Sequence, residues 1–303
     1  MTYSIVARDP VSGDLGVAVQ SHWFSVGTVV TWAEAGVGAV ATQAFAEPAY
    51  GPRGLSLMRQ GIDAGRALNT LLEQDAASAG RQVAFVDASG RVAAHTGAGC
   101  IPDAGHVTGE AMSAQANMMR NDRVWPAMLQ AYQRAPGGLA DRMLAALEAA
   151  EEAGGDLRGR QSAALLVVRA TSSADPWRDR LIDVRVDDSG EPLADLRRLL
   201  ELHRGYAHME AADVRLVAGD VEGALREYGF ARELLGSNDE AAFWTAVLLA
   251  DSGRADEARA VFGDIASREP GWAELLRRLP ATGAGPWSLL RSGDAVVERL
   301  LEP

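Results

Sequence analysis

A single cysteine in 303 residues, Cys100, leaves no partner for an intramolecular disulfide, so the fold must be held by its cores. Long apolar runs are missing too. The longest unbroken one, Ala163 to Val168, is far short of the roughly 20 residues that cross a bilayer. The first ten residues lack a basic stretch followed by an apolar one and do not read as a signal peptide. A cytoplasmic protein whose mature chain starts close to residue 1 is therefore expected. Basic charge is scarce: 29 Lys and Arg stand against 41 Asp and Glu, a formal net charge of −12. Nucleic acids and anionic membranes select basic surfaces, so neither is expected as a partner.

Several chemical signatures are also absent. The chain has no phosphate loop, no Gly-x-Gly-x-x-Gly opening a helix, no His-Glu-x-x-His, no paired Cys-x-x-Cys and no Gly-x-Ser-x-Gly elbow. Its five histidines, at 22, 95, 106, 203 and 208, show no metal-ligand spacing. No metal and no cofactor is expected.

What is present is 48% hydrophobic and 23% charged, enough to bury cores in one large or two ordinary domains. Residues 3–8 and 15–21 read as strands around an Asp9-Pro10 turn with Gly13, and 27–33 and 37–43 as a second extended pair. Helical spacing follows at 53–60 and 64–74. A hairpin, 81–87 and 91–96, closes on Ala88-Ser89-Gly90. Residues 97–109 read as loop and 115–119 as a strand end. Helices are expected at 122–135 and 138–153, and strands at 161–169, which contains the apolar run 163–168, and 181–186, alternating. This order predicts an α+β plan with sheets inside and helix pairs outside.

From about Pro192 the pattern is helical. Gly219 and Gly253, Ala224 and Ala258, and Tyr228 and Phe262 are each separated by 34 positions, the tetratricopeptide (TPR) period. Two domains are expected, 1–205 and a helical-repeat domain at 206–303. Two repeats are fewer than a free solenoid needs, which predicts docking or a homodimer or other homo-oligomer.

Residue 2 is threonine. Its small side chain lets an aminopeptidase remove Met1, leaving a hydroxyl beside a free α-amine. Such a residue is a self-contained catalytic unit: the hydroxyl attacks a carbonyl and the amine, of reference pKa about 8, accepts the proton.

Segments 2–10 (TYSIVARDP), 13–19 (GDLGVAV), 35–43 (AGVGAVATQ), 50–55 (YGPRGL), 92–97 (VAAHTG) and 161–168 (QSAALLVV) resemble a bacterial family known as domain of unknown function 1028, grouped with the N-terminal-nucleophile (Ntn) hydrolases. The resemblance covers residues 2–205 and implies a four-layer αββα sandwich with the nucleophile at the start of the first strand, between the sheets. It nominates Thr2 with Ser21 and Asn117 as catalytic residues, Asn117 as a donor to the developing oxyanion. It nominates His22, Thr42, Gln43, His95 and Gln161 as substrate contacts. Where the family commonly has Gln-Gly-Asn, this chain has Gln115-Ala116-Asn117, which alters the backbone there. The expected activity is hydrolysis of an amide, imide or ureido C–N bond in a small-molecule substrate. The alternative is a non-catalytic ligand-binding or scaffold protein whose helical tail binds a protein partner or builds an oligomer.

Overall fold

Short apolar strands separated by turn residues fill the first part of the chain. The protein is described by a computed structural model that covers residues 2–173, 175–281 and 285–301. In order, β1 (Thr2–Arg8) and β2 (Leu15–Ser21) precede α1 (Gly27–Val30), β3 (Thr31–Glu34) and β4 (Gly38–Ala44). Helices α2 (Tyr50–Arg59) and α3 (Ala64–Gln74) lead to β5 (Arg81–Asp87), β6 (Val92–Thr96), β7 (Gly105–Gly109) and β8 (Met112–Asn117). Then come α4 (Val124–Arg134), α5 (Leu139–Glu152), β9 (Ser162–Val168) and β10 (Arg180–Val186). Six helices follow: α6 (Pro192–Val217), α7 (Val221–Leu235), α8 (Glu240–Asp251), α9 (Ala255–Arg268), α10 (Gly271–Arg278) and α11 (Gly293–Leu301). The β1–β2 turn is closed by Asp9, whose Oδ1 accepts the backbone N–H of Val11 and Ser12 at 2.8 and 2.9 Å.

The strands form a six-stranded sheet, β10-β9-β2-β1-β8-β7, and a four-stranded one, β3-β4-β5-β6. Every pairing is antiparallel. The sheets face each other across one core: Val6, Val17, Val19, Leu166 and Val168 from the larger, Ala39, Ala41, Ala84 and Val86 from the smaller. Many of the smaller sheet's residues here are alanine, which lets the two backbones come close. The smaller sheet turns Val40, Val83 and Phe85 outward onto α2 and α3. The larger sheet carries α4 and α5 on its other face.

Side chains alternate between faces along a strand, and this alternation places the site. On the face between the sheets lie Thr2, Ser4 and Val6 of β1, Val19 and Ser21 of β2, Ala41 and Gln43 of β4, Gln82 and Ala84 of β5, and Gln115 and Asn117 of β8. The apolar members fill the middle of this layer. The polar members are buried at one end of it.

Two local expectations are corrected. Residues 27–30, read as strand from their β-branched content, make one helical turn, α1. Val26 and Val30, four apart, both bury in the core between the sheets, and that packing outweighs propensity. Residues 105–109, read as loop, form the edge strand β7, because their pairing with β8 satisfies a glycine-flanked segment of weak intrinsic preference.

The YGPRGL segment has a packing explanation. A Cβ on Gly51 would lie 2.2 Å from Trp32, and one on Gly54 2.4 Å from the buried Phe85 ring. Alanine at an ordinary helix position gains at most about 1 kcal/mol over glycine, whereas overpacking costs about 1–3 kcal/mol. Gly54→Ala is therefore expected to lower stability, seen as a lower urea midpoint at unchanged slope.

The chain divides into two compact units, Met1–Leu199 and Leu200–Pro303, with the boundary inside α6. In the second unit, positions 34 apart share environments. Gly219 and Gly253 have φ of +77° and +80°. Ala224 and Ala258 are fully buried, and Tyr228 and Phe262 nearly so. Phe243 stacks on Trp272 at 5.1 Å and meets Trp244 edge-on at 5.2 Å. Trp287 is buried in the same cluster, so all three tail tryptophans serve packing. Among the described residues no helix is long and apolar enough to cross a membrane.

Candidate functional site

The polar end of the inter-sheet layer opens into a cleft of about 600 Å³, within the usual range of small-molecule sites. Thr2, Gln43 and Asn117 line it together with Trp23, Val26, Val29, Val30, Ala44, Phe45, Ala46, Arg81, Ile101, Met118 and Arg158.

Thr2 stands at the first position of β1, paired with Ser21 of β2 on one side and Asn117 of β8 on the other. It is 6% exposed. Its hydroxyl donates to Ser21 Oγ at 3.1 Å. Its carbonyl accepts from Gln43 Nε2 at 3.2 Å and from Asn117 Nδ2 at 3.3 Å. The residue is thus held by side chains from three other strands, β2, β4 and β8.

Behind it runs a buried chain of amides and hydroxyls. Gln82 Oε1 accepts from Gln43 Nε2 at 2.6 Å and from Asn117 Nδ2 at 2.9 Å. Gln82 Nε2 donates to Thr96 Oγ1, to the Gly105 carbonyl and to the Ala116 carbonyl. Ser4 donates to Gln43 Oε1 at 2.6 Å and accepts from Gln115 Nε2 at 2.6 Å. Ser113 donates to Gln115 Oε1 at 2.9 Å. Every amide nitrogen in this chain has an acceptor, and a buried network so engaged fixes a single geometry.

Of the residues nominated from sequence, Thr2, Ser21, Gln43 and Asn117 converge. Both donors of Asn117 are engaged, one with the Thr2 carbonyl and one with Gln82, so an oxyanion role requires one of them to be released. The other nominees lie elsewhere. Thr42 donates to the Glu47 carbonyl at 3.1 Å, on the helix side of its sheet. His95 bonds the Ser78 carbonyl at 2.9 Å. His22 donates its backbone N–H to the Asp156 carboxylate at 3.3 Å, and Gln161 donates to Asp188 at 2.9 Å. None of these four lines the cleft. Thr42 and His95 sit at odd register from Gln43 and Thr96, so the pleat turns them away. Removal of Met1 concerns a residue outside the described ones.

Sequence reading passed over Ser4, Gln82 and Gln115, although period-two alternation from Thr2 and Gln43 points to them. It also passed over the cleft's arginines. Arg81 donates through Nε to Asp75 at 2.8 Å and through Nη1 to the Phe45 carbonyl. Arg158 donates through Nη2 to the buried Asp156 carboxylate at 3.2 Å. Backbone strain marks the same place. Of the four described non-glycine residues with positive φ, Ala44 (+69°) and Met118 (+59°) line the cleft, and Ser25 (+53°) lies between Trp23 and Val26, which line it too. Such residues are costly and collect at functional sites. Cys100 is no rival nucleophile: burial pushes its thiol pKa up, and Sγ donates to the Arg81 carbonyl at 3.4 Å.

Hydrogen bonds from Arg81 hold the Asp75 carboxyl below the usual carboxylate range, and burial opposes this only in part. A depressed folded-state pKa contributes stability above the unfolded-state value of about 4 and loses it as pH falls through the folded value. Asp75→Asn is expected to flatten the acid limb of the stability–pH curve below about pH 4, as measured by urea midpoints across that range.

The sequence matches, over residues 2–196, a family described as "Family of unknown function (DUF1028)". A crystal structure of a Silicibacter pomeroyi protein described under the same family is similar at 33% sequence identity and a TM-score of 0.60, covering 66% of this chain and 88% of that one. No curated protein matches the chain.

Proposed function

This chain belongs to the DUF1028 family, and from that membership and the cleft we propose that it is an N-terminal-nucleophile amidohydrolase, its layers those of the αββα sandwich that such enzymes use. One observation carries the reading: Thr2 lines an open cleft, its hydroxyl 3.1 Å from Ser21 Oγ and its own carbonyl clamped by Gln43 and Asn117. That is how a fold treats a residue whose orientation matters.

In the proposed reaction Met1 is hydrolysed off first. Thr2 Oγ1 then attacks the substrate carbonyl carbon while its proton passes to the Thr2 α-amine. The tetrahedral adduct collapses, the C–N bond breaks, and the departing nitrogen takes that proton. Water cleaves the resulting threonyl ester, returning the hydroxyl and releasing the acid. Ser21 orients the nucleophile, and Gln43 and Asn117 fix the backbone that carries it.

The test is intact mass followed by labelling with an amide-mimicking electrophile. The expected result is a chain lacking Met1 with the label mapped to Thr2. Active protein that retains Met1 quantitatively overturns the proposal. The C-terminal unit we read as TPR-like, supported by matched environments 34 residues apart.

A further inference from the structure

The cleft lining describes its ligand. The protein carries a net charge of −12, yet among the described residues no carboxylate lines this cleft, while two arginines do. Asp75 and Asp156 hold those arginines from behind. Each guanidinium is thereby fixed in place before a ligand arrives, which reduces the ordering cost of binding an anion. The opposite character is also present. Trp23, Phe45 and Ile101 are 60%, 58% and 41% exposed at the cleft, and Val26, Val29 and Val30 continue the apolar wall. Large side chains left open around a polar floor mark a ligand surface.

From this pairing we infer that the cleft takes a carboxylate-bearing ligand with an aromatic or branched aliphatic group. Its acid meets the guanidinium of Arg81 or Arg158, and its apolar group packs on the Trp23, Phe45 and Ile101 side chains of the same cleft. Resting on the hydrolase reading only for the bond that is cut, this makes the substrate class N-acyl or N-carbamoyl amino acids with bulky apolar side chains. Hydrolysis of such a compound cleaves its amide or ureido C–N bond by the route already given, consuming one water.

Binding separates this inference from catalysis. Calorimetry on the full-length protein uses 3-phenylpropanoate, which has a ring and an acid but no scissile bond, beside 3-phenylpropanol and propanoate. The acid with the ring is expected to bind at least about tenfold more tightly than either partial probe, since the alcohol lacks the charge-assisted hydrogen bond and propanoate lacks the apolar area that the ring buries. Arg158→Gln is expected to bring it down to the level of the alcohol, and Trp23→Ala to the level of propanoate. Equal affinities for the three probes, or no saturable binding by the acid, overturn the inference. If Thr2 is labelled by an electrophile but the probes bind alike, the hydrolase reading stands and the ligand class falls. Selective binding without labelling gives the reverse.

Discussion

Thr2→Ala is expected to abolish turnover and electrophile labelling while leaving the fold intact. The stability side of this is small. The substitution removes a methyl group and one hydroxyl bond, 3.1 Å to Ser21 Oγ, at a strand terminus, a net loss of about 1 kcal/mol. The rate side is large, because deleting the nucleophile of a covalent hydrolase costs about a millionfold. Alanine at position 2 is smaller than threonine, so removal of Met1 is not disturbed and the comparison is clean. Thr2→Ser keeps a hydroxyl next to the amine and should retain measurable activity. The assay is turnover of N-carbamoyl-phenylalanine or another amide found by screening, with far-ultraviolet circular dichroism and urea midpoints as controls. Turnover by Thr2→Ala within tenfold of the parent protein would remove Thr2 from the chemistry.

Gln82→Leu should be among the most destabilising single changes at the site, although Gln82 does not line the cleft. Leucine nearly matches glutamine in volume, so the loss comes from hydrogen bonding and not from a cavity. Gln43 Nε2 and Asn117 Nδ2 both donate to Gln82 Oε1, and each loses that acceptor to hydrocarbon. A stranded buried donor costs about 1–3 kcal/mol, so a loss of about 2–5 kcal/mol is expected in the unfolding free energy. Activity should fall as well, since the same two amides hold the Thr2 carbonyl. A double-mutant cycle with Asn117→Ala should be strongly non-additive, because the second change removes a donor that the first has stranded. A Gln82→Leu protein within about 0.5 kcal/mol of the parent, the range of a neutral surface change, would mean that the network is not what orders this end of the sheets.

These two residues show how far a sequence reading reaches. Thr2 was visible from its position and Gln43 and Asn117 from the resemblance, but Thr42, His95 and His22 were equally plausible as strand-end polar residues. Proximity along the chain does not say which face of a pleat a side chain occupies. The apolar neighbours do: Ala41 and Ala84 belong to the core between the sheets, while Val40, Val83 and Phe85 bury under the helices. Counting by two from these gives Gln43 and Gln82 inward and Thr42 outward. The arginines needed more than counting. Arg81 begins β5 and Arg158 sits in the loop before β9, 77 positions apart by their numbers, and nothing local in the sequence links them.

By itself, then, the amino-acid order determined the hairpins, the apolar run of β9, the outer helix pairs and the 34-residue spacing in the tail, because each rests on short-range periodicity and turn chemistry that one segment carries alone. Only the tertiary structure decided that β7 pairs as an edge strand, that residues 27–30 form a helical turn, and that Thr2, Ser21, Gln43, Gln82 and Asn117 meet. Those outcomes depend on which strands become neighbours, and strand adjacency is set by the packing of two sheets and their helices at once.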